Sequence, residues 1–206
     1  YIDDNGNLAG FEIVFGNELC TRAGLECEWV KNDWDSIIPN LVSGNYDTII
    51  AGMSITDERD EVIDFTQDYL PPDPSSYITL SSGNKAAYIG VVAAQTATIQ
   101  ASHVAASGAI LVEFSTPDET ISALRNGEVD AVMADKAFLK PIVAESNNEI
   151  KFIAKDVYIG GGVGMGIRES DTSLKDTFNA AIDSMKADGS LNALIDKWEG
   201  ISEGRY

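Results

Sequence analysis

Leu41-Val42-Ser43-Gly44-Asn45-Tyr46-Asp47-Thr48-Ile49-Ile50-Ala51 has an echo in Leu124-Arg125-Asn126-Gly127-Glu128-Val129-Asp130-Ala131-Val132-Met133-Ala134. In both, a leucine ends a helical pattern, a glycine stops it, an aspartate follows and a short apolar run comes next. Leu41, Gly44 and Asp47 recur as Leu124, Gly127 and Asp130 at one constant offset. Glycine suits that place because a helix end often turns through left-handed backbone, which penalises a Cβ. The apolar runs, Tyr46–Ala51 and Val129–Ala134, read as buried strands. Each copy is thus a helix feeding a strand, the building block of a mostly parallel α/β sheet. Pro71-Pro72-Asp73-Pro74, the strongest break in the chain, lies between them. Two such units on either side of a break predict two similar lobes.

Working outward, Phe11, Phe15 and Leu19 fall on one face of a helix that ends near Gly24. Leu25–Lys31 alternates as a strand does. Asp35 or Ser36 is placed to cap a helix carrying Ile37, Ile38, Leu41 and Val42. Thr56-Asp57-Glu58 opens a further helical turn, and Asp64-Phe65-Thr66 ends that region. Beyond the prolines, Tyr77–Leu80, Lys85–Val92 and Leu111–Phe114 read as extended. Thr98–Ala106 and Lys136–Glu145 read as helices, and Thr116 with Pro117 opens another. Leu174, Phe178, Ile182 and Met185 make a helix closed by Gly189, and Leu191–Trp198 makes the last.

Ligands of open α/β sheets bind beyond the carboxyl ends of the strands. Gly52-Met53-Ser54 follows the first apolar run, with Arg59 just downstream, and Asp135 follows the second. One end offers backbone amides, a hydroxyl and a guanidinium; the other offers a carboxylate. If the lobes face each other, such a split site fits a zwitterion, its carboxylate on Arg59 and its ammonium on Asp135. Read singly, Arg59 is a surface arginine in an acidic turn, Asp135 and Thr98 are helix caps, and Trp34 is a core residue.

The chain has 206 residues and a formal net charge of −19, from 33 acids against 14 bases. So negative a surface repels phosphate backbones and anionic lipid, which argues against nucleic acid as a partner. It suits solubility, and steering of cationic ligands is the alternative reading. No apolar run is long enough to span a membrane. Cys20 and Cys27, with Gly24 between them to turn the chain back, read as a disulfide and so as an oxidising compartment; two buried thiols are the alternative. With His103 distant in sequence, no metal site is expected. The glycine run Gly160–Gly166 follows no clear strand into a helix, so it reads as a hinge strand in close backbone approach and not as a dinucleotide fingerprint. No cofactor is expected.

Several stretches together resemble the type 3 extracellular solute-binding family, the polar amino-acid-binding proteins of bacterial ABC importers. They are Gly6-Asn7-Leu8-Ala9-Gly10-Phe11, Asp33-Trp34-Asp35-Ser36-Ile37-Ile38-Pro39, Asp47 through Ala51-Gly52-Met53-Ser54-Ile55-Thr56-Asp57-Glu58-Arg59 to Asp64-Phe65-Thr66, and Met185 through Gly189 to Ile195. The resemblance implies a two-lobed periplasmic-binding-protein-like fold of type II. Residues 1–74 and 163–206 would form one lobe and 75–162 the other, joined by two hinge strands. It implies that Gly52, Ser54 and Arg59 hold an α-carboxylate, with Met53 among the ligand-binding residues, that Asp135 pairs with the α-ammonium and that Trp34 packs on the ligand side chain. Thr98 and Ile99 match a loop whose helix N-terminus also meets the carboxylate, and the cysteines match a disulfide of some members. Members carry a strand and an aromatic-rich loop ahead of the position of Tyr1, so the first strand of the fold is missing here. Ala97 stands where glycine is common.

The implied function is capture of a small amino acid, polar or basic, and its delivery to an ABC transporter permease. The expected form is a monomer in the periplasm, or extracytoplasmic and lipid-anchored, without enzyme activity. Two other readings share the scaffold. One is the ligand-sensing module of a receptor or membrane-bound enzyme. The other is a cyclohexadienyl-dehydratase-like enzyme, for which Asp135 or Glu119 would serve as acid or base but no catalytic partner stands out.

Overall fold

The computed structural model of the chain describes residues 1–198, 200–202 and 204–206. They divide into two compact units, Tyr1–Pro72 with Gly160–Tyr206, and Asp73–Ile159.

In the first unit, helix α1 (Phe11–Ala23) buries Phe11, Phe15 and Leu19 along one stripe. Gly24 ends it at φ 68°, and the chain turns back so that Cys27 bonds Cys20 with their Cα atoms 6.2 Å apart. Leu25–Lys31, expected as a strand, is not one. Its pattern is right, but none of the described strands runs beside it to complete a ladder. The Leu25 N–H bonds the Cys20 carbonyl, and the Trp29 indole donates to Asn17 Oδ1 at 2.9 Å. Replacing both cysteines by alanine is expected to cost about 2.5 kcal/mol, the chain-entropy value for so short a loop. Urea unfolding with and without the bridge measures it.

A 3-10 turn (Trp34–Ser36) leads into α2 (Ile37–Val42). Neither Asp35 nor Ser36 caps that helix, because the turn runs straight into it and the Ser36 hydroxyl donates to the Asp33 carbonyl. Strand β1 (Thr48–Ile49) is shorter than the apolar run Tyr46–Ala51. Helix α3 (Asp57–Asp60) and β2 (Asp64–Phe65) follow. The sheet is completed from the far end of the sequence by a strand at Gly166–Ile167, which lies between β1 and β2 and runs antiparallel to both. The expectation of a mostly parallel sheet therefore fails in this unit, since the strand alongside β1 arrives from the glycine run and not from a helical crossover.

That run does approach other backbone closely. A Cβ on Gly162 would lie 2.5 Å from Asp68 Oδ2 and 2.6 Å from the Leu70 carbonyl oxygen, and one on Gly164 would lie 2.9 Å from Ile55 Cδ1. Two helices, Thr172–Ala187 and Ser190–Lys197, pack against α1, joining Phe178, Ile182, Met185, Leu191 and Ile195 to Phe15, Tyr69 and Ile167 in one core.

The second unit is built on β3 (Ser75–Leu80), β4 (Val91–Gln95), β5 (Ile110–Phe114), β6 (Ala131–Asp135) and β7 (Ile150–Val157). Their order is β5-β4-β6-β3-β7. Strand β4 is parallel to β5 and β6, and β3 is antiparallel to β6 and β7. Neighbouring residues point to opposite faces. Ile78, Ala93 and Val132 enter one core with Ile121, Leu124 and Leu139, whereas Tyr77, Val92 and Met133 enter another with Val104. Helices α4 (Ile99–Ser107), α5 (Pro117–Asn126) and α6 (Lys136–Glu145) supply the cover. Thr116 and Glu119 close a capping box at the start of α5.

Lys85–Val92, read as a strand, is corrected to a 3-10 turn (Ala87–Ile89) that releases β4 only at Val91. The Asp130 carboxylate takes the Val91 N–H at 2.8 Å, and a Cβ on Gly90 would stand 2.4 Å from it. The last two helices of the chain become α7 (Thr172–Ala187) and α8 (Ser190–Lys197), and the strand Gly166–Ile167 becomes β8.

Candidate functional site

In the first unit the chain leaves β1 and turns at Gly52, φ 62°. The Gly52 N–H is already engaged: it donates to Glu12 Oε1 at 2.6 Å. The Tyr69 hydroxyl donates to the same oxygen. Glu12 sits in the first turn of α1, so one carboxylate ties that helix to the loop after β1. Burial pushes its pKa above the usual carboxylate value, against the pull of the Tyr69 and Gly52 hydrogen bonds. Burial and the Glu12 charge together raise the Tyr69 hydroxyl well above its ordinary value.

Met53 turns its side chain inward, 1% exposed, among Leu41, Ile49, Ile63 and Phe65. A direct role for that side chain does not fit its burial, which leaves its backbone. Ser54 bridges to Val163, and its carbonyl accepts a 2.8 Å hydrogen bond from Arg59 Nη1. Arg59 lies in the short helix α3, whose N-cap Thr56 accepts from the Arg59 N–H at 3.2 Å. The half-buried guanidinium stacks over the Trp34 ring, with Cζ 5.5 Å from its centroid. Trp34 in turn packs on the cluster that holds Met53. Trp34, Ser54 and Arg59 are therefore one patch of the first unit, with a planar cation on an aromatic face beside a strand end.

In the second unit Asp135 is exposed at the end of β6. It occupies the N-cap position of α6 but makes no capping hydrogen bond. Its Oδ1 instead accepts from Gln100 Nε2 at 2.7 Å, and the same amide nitrogen donates to Ser75 Oγ at 2.9 Å. Gln100 and Ser75 are both buried. Thr98 caps α4, accepting from the Ala101 N–H and donating to the Gln95 carbonyl at 2.6 Å. Ile99 is the first residue of that helix and is half-buried. Ala97 stands at φ 56°, in the left-handed region that favours glycine. Nearby, Lys136 pairs with Asp156 at 2.5 Å, and this ion pair, helped by the Ser76 hydroxyl, holds the Asp156 carboxyl below its usual value.

Sequence reasoning missed Glu12 and Gln100. Glu12 stands just past the quoted Gly6–Phe11 stretch, between Phe11 and Ile13, where such a carboxylate leaves no distinct mark. Gln100 lies in the first turn of α4, two residues after Thr98, and only the fold brings it to Asp135. Among the described residues no group of three or more His, Cys, Asp or Glu side chains is placed to hold a metal ion, and no helix is long and apolar enough to cross a membrane.

Residues 1–201 match the model of the bacterial extracellular solute-binding proteins, family 3. The chain is 32% identical over 209 residues to the L-arginine-binding protein of Pseudomonas aeruginosa, covering 94% of this chain and 80% of that one. It is 30% identical to the lysine/arginine/ornithine-binding periplasmic protein of Escherichia coli, covering 95% and 81%. A solved periplasmic His/Glu/Gln/Arg/opine family-binding protein from Silicibacter pomeroyi, in complex with lysine, superposes with a TM-score of 0.95 at 65% identity, over 100% of this chain and 94% of that one.

Proposed function

Since this chain belongs to the bacterial extracellular solute-binding proteins of family 3, we propose that it captures a basic amino acid, lysine or arginine, outside the cytoplasm and delivers it to an ABC transporter permease. The observation that carries this reading is the Trp34–Ser54–Arg59 patch. Arg59 is held in place by its own helix cap and by the Ser54 carbonyl, and it presents a planar fork suited to a carboxylate. Ser54 adds a hydroxyl, and Trp34 offers an aromatic face to an aliphatic stem. Asp135, oriented by Gln100, supplies the partner for the ligand's α-ammonium. Thr98 and Ile99, which open α4 in the second unit, are assigned to the ligand carboxylate through the N–H groups of that first turn. Gly52 acts through the turn it permits, since its N–H is given to Glu12.

A net charge of −19 attracts a cationic ligand and discourages an anionic one. Relatives that carry names of arginine, lysine and ornithine binders support the same class. The chain acts as a monomer and releases its ligand unchanged. A ligand that engages residues of both units favours the conformations in which both engage it at once. A thermal-shift screen of the twenty amino acids tests the reading. Lysine or arginine at about 100 times its dissociation constant is expected to add roughly 2.7 kcal/mol of stability. A screen in which no amino acid raises the melting temperature would overturn it, and consumption of the ligand would favour the enzyme reading.

A further inference from the structure

The carboxylate assigned to the ligand's α-ammonium, Asp135, is followed directly by a lysine, Lys136. A cation so close to an ammonium site repels the ligand and competes for the carboxylate, unless its charge is held elsewhere. The sheet of the second unit separates the two side chains. Asp135 stands opposite Ser75 across the β6–β3 ladder, and both accept hydrogen bonds from the Gln100 amide. They therefore share the face that α4 covers, along with Tyr77 and Met133. Ser76 points to the other face, where α6 packs with Ile78 and Val132. There the Ser76 hydroxyl donates to Asp156 Oδ1, and Lys136 Nζ lies 2.5 Å from Asp156 Oδ2.

Asp156 reaches this position through an irregularity of β7. Ser75 pairs with Val157 and Tyr77 with Ile153, so Ala154, Lys155 and Asp156 together stand opposite Ser76. Ala154 takes left-handed backbone, φ 60°, where the extra residues are fitted. That conformation is costly for a residue with a Cβ, and bulges beside functional sites commonly re-aim a side chain. The Lys136 hydrogen bond, and after it that of Ser76, hold the Asp156 carboxyl below its usual value, and the charge of Lys140 acts in the same direction. The ion pair is not needed to anchor α6, because the Lys136 N–H already bonds the Pro74 carbonyl at 3.0 Å.

We propose that Asp156 is a positioning residue of the ammonium site: it holds Lys136 on the α6 face of the sheet and so keeps that cation from competing with the ligand for Asp135. The inference rests on the proposed function and adds to it a residue that acts through Lys136. The bulge then has a reason, since it carries the one carboxylate that meets Ser76 and Lys136 together.

Asp156→Asn keeps the size of the side chain and can still accept from Ser76, but it no longer neutralises Lys136. Calorimetric titration of lysine is expected to show binding weaker by about fivefold. The factor is moderate because the two paired side chains are 28% and 35% exposed and so partly screened. Raising the salt concentration is expected to narrow the gap from wild type. Combining Asp156→Asn with Lys136→Gln removes the competing charge, and is expected to bring binding back to within about twofold of wild type. A mere tether between α6 and β7 would not be restored in this way. Asp156→Asn binding within about twofold of wild type, or a double variant as weak as the single one, would overturn the inference while leaving the amino-acid site in place. Wild type that binds neither lysine nor arginine would overturn the proposed function and this inference with it, so the two failures are told apart.

Discussion

Arg59→Ala is expected to weaken lysine or arginine binding by roughly 2–5 kcal/mol, because the ligand carboxylate then enters a half-dry site without its partner. The loss should exceed what a surface ion pair could give, which is about 1 kcal/mol at most. Truncation also uncovers one face of Trp34 and frees the Ser54 carbonyl. Far-ultraviolet circular dichroism should stay unchanged, since α3 is one short turn whose cap uses the backbone N–H of residue 59 and not its side chain. Arg59→Lys keeps the charge but loses the two-pronged geometry, and should fall between wild type and alanine. Calorimetric titration checks the series, and a dissociation constant for Arg59→Ala within twofold of wild type would remove Arg59 from the site.

Glu12→Ala is expected to destabilise the chain by roughly 2–5 kcal/mol. It leaves two donors, the Gly52 N–H and the Tyr69 hydroxyl, without their acceptor, at about 1–3 kcal/mol each. Glu12→Gln should be far milder, because both donors point at one oxygen and an amide oxygen can accept two hydrogen bonds. The pH dependence separates the two effects. Burial raises the Glu12 pKa above its ordinary 4.5, so the folded state holds that proton more tightly than the unfolded state. The stability this group contributes is present in full below the unfolded value and is lost as pH rises through the folded one. Urea unfolding at pH 4 should therefore find wild type and Glu12→Gln similar, and at pH 7 should find the glutamine variant ahead. Parallel pH curves for the two proteins would contradict a buried, perturbed carboxylate at this position.

The same residues show how much could be read in advance. The stripe Phe11, Phe15, Leu19 fixes α1, and Thr116, Pro117 and Glu119 fix the start of α5, because helix signals are local. Strands are another matter, since a strand exists only where a neighbour completes it. Leu25–Lys31 alternates well and still forms no ladder, whereas β7 was not expected and spans Ile150–Val157. Its buried residues Ile150 and Ile153 break the period of two. The pairing with β3 shifts register between Ser75 and Tyr77, and Ala154 stands at φ 60°. An irregularity of that kind erases the alternation by which a strand is read.

The site divides in the same way. Arg59, Ser54 and Trp34 carry recognisable sequence around them, and the fold gathers them into one patch. Glu12 and Gln100 act on Gly52 and Asp135 across 40 and 35 positions of sequence. Such contacts are made by folding, and one sequence gives no sign of them.

The proposed function requires that one basic amino acid depend on both the Arg59 guanidinium and the Asp135 carboxylate. Calorimetric titration of lysine and arginine into wild type, Arg59→Ala and Asp135→Asn tests it most directly. One ligand per chain is expected for wild type, with the same site weakened by either substitution. A saturable site that survives both substitutions undiminished would contradict it.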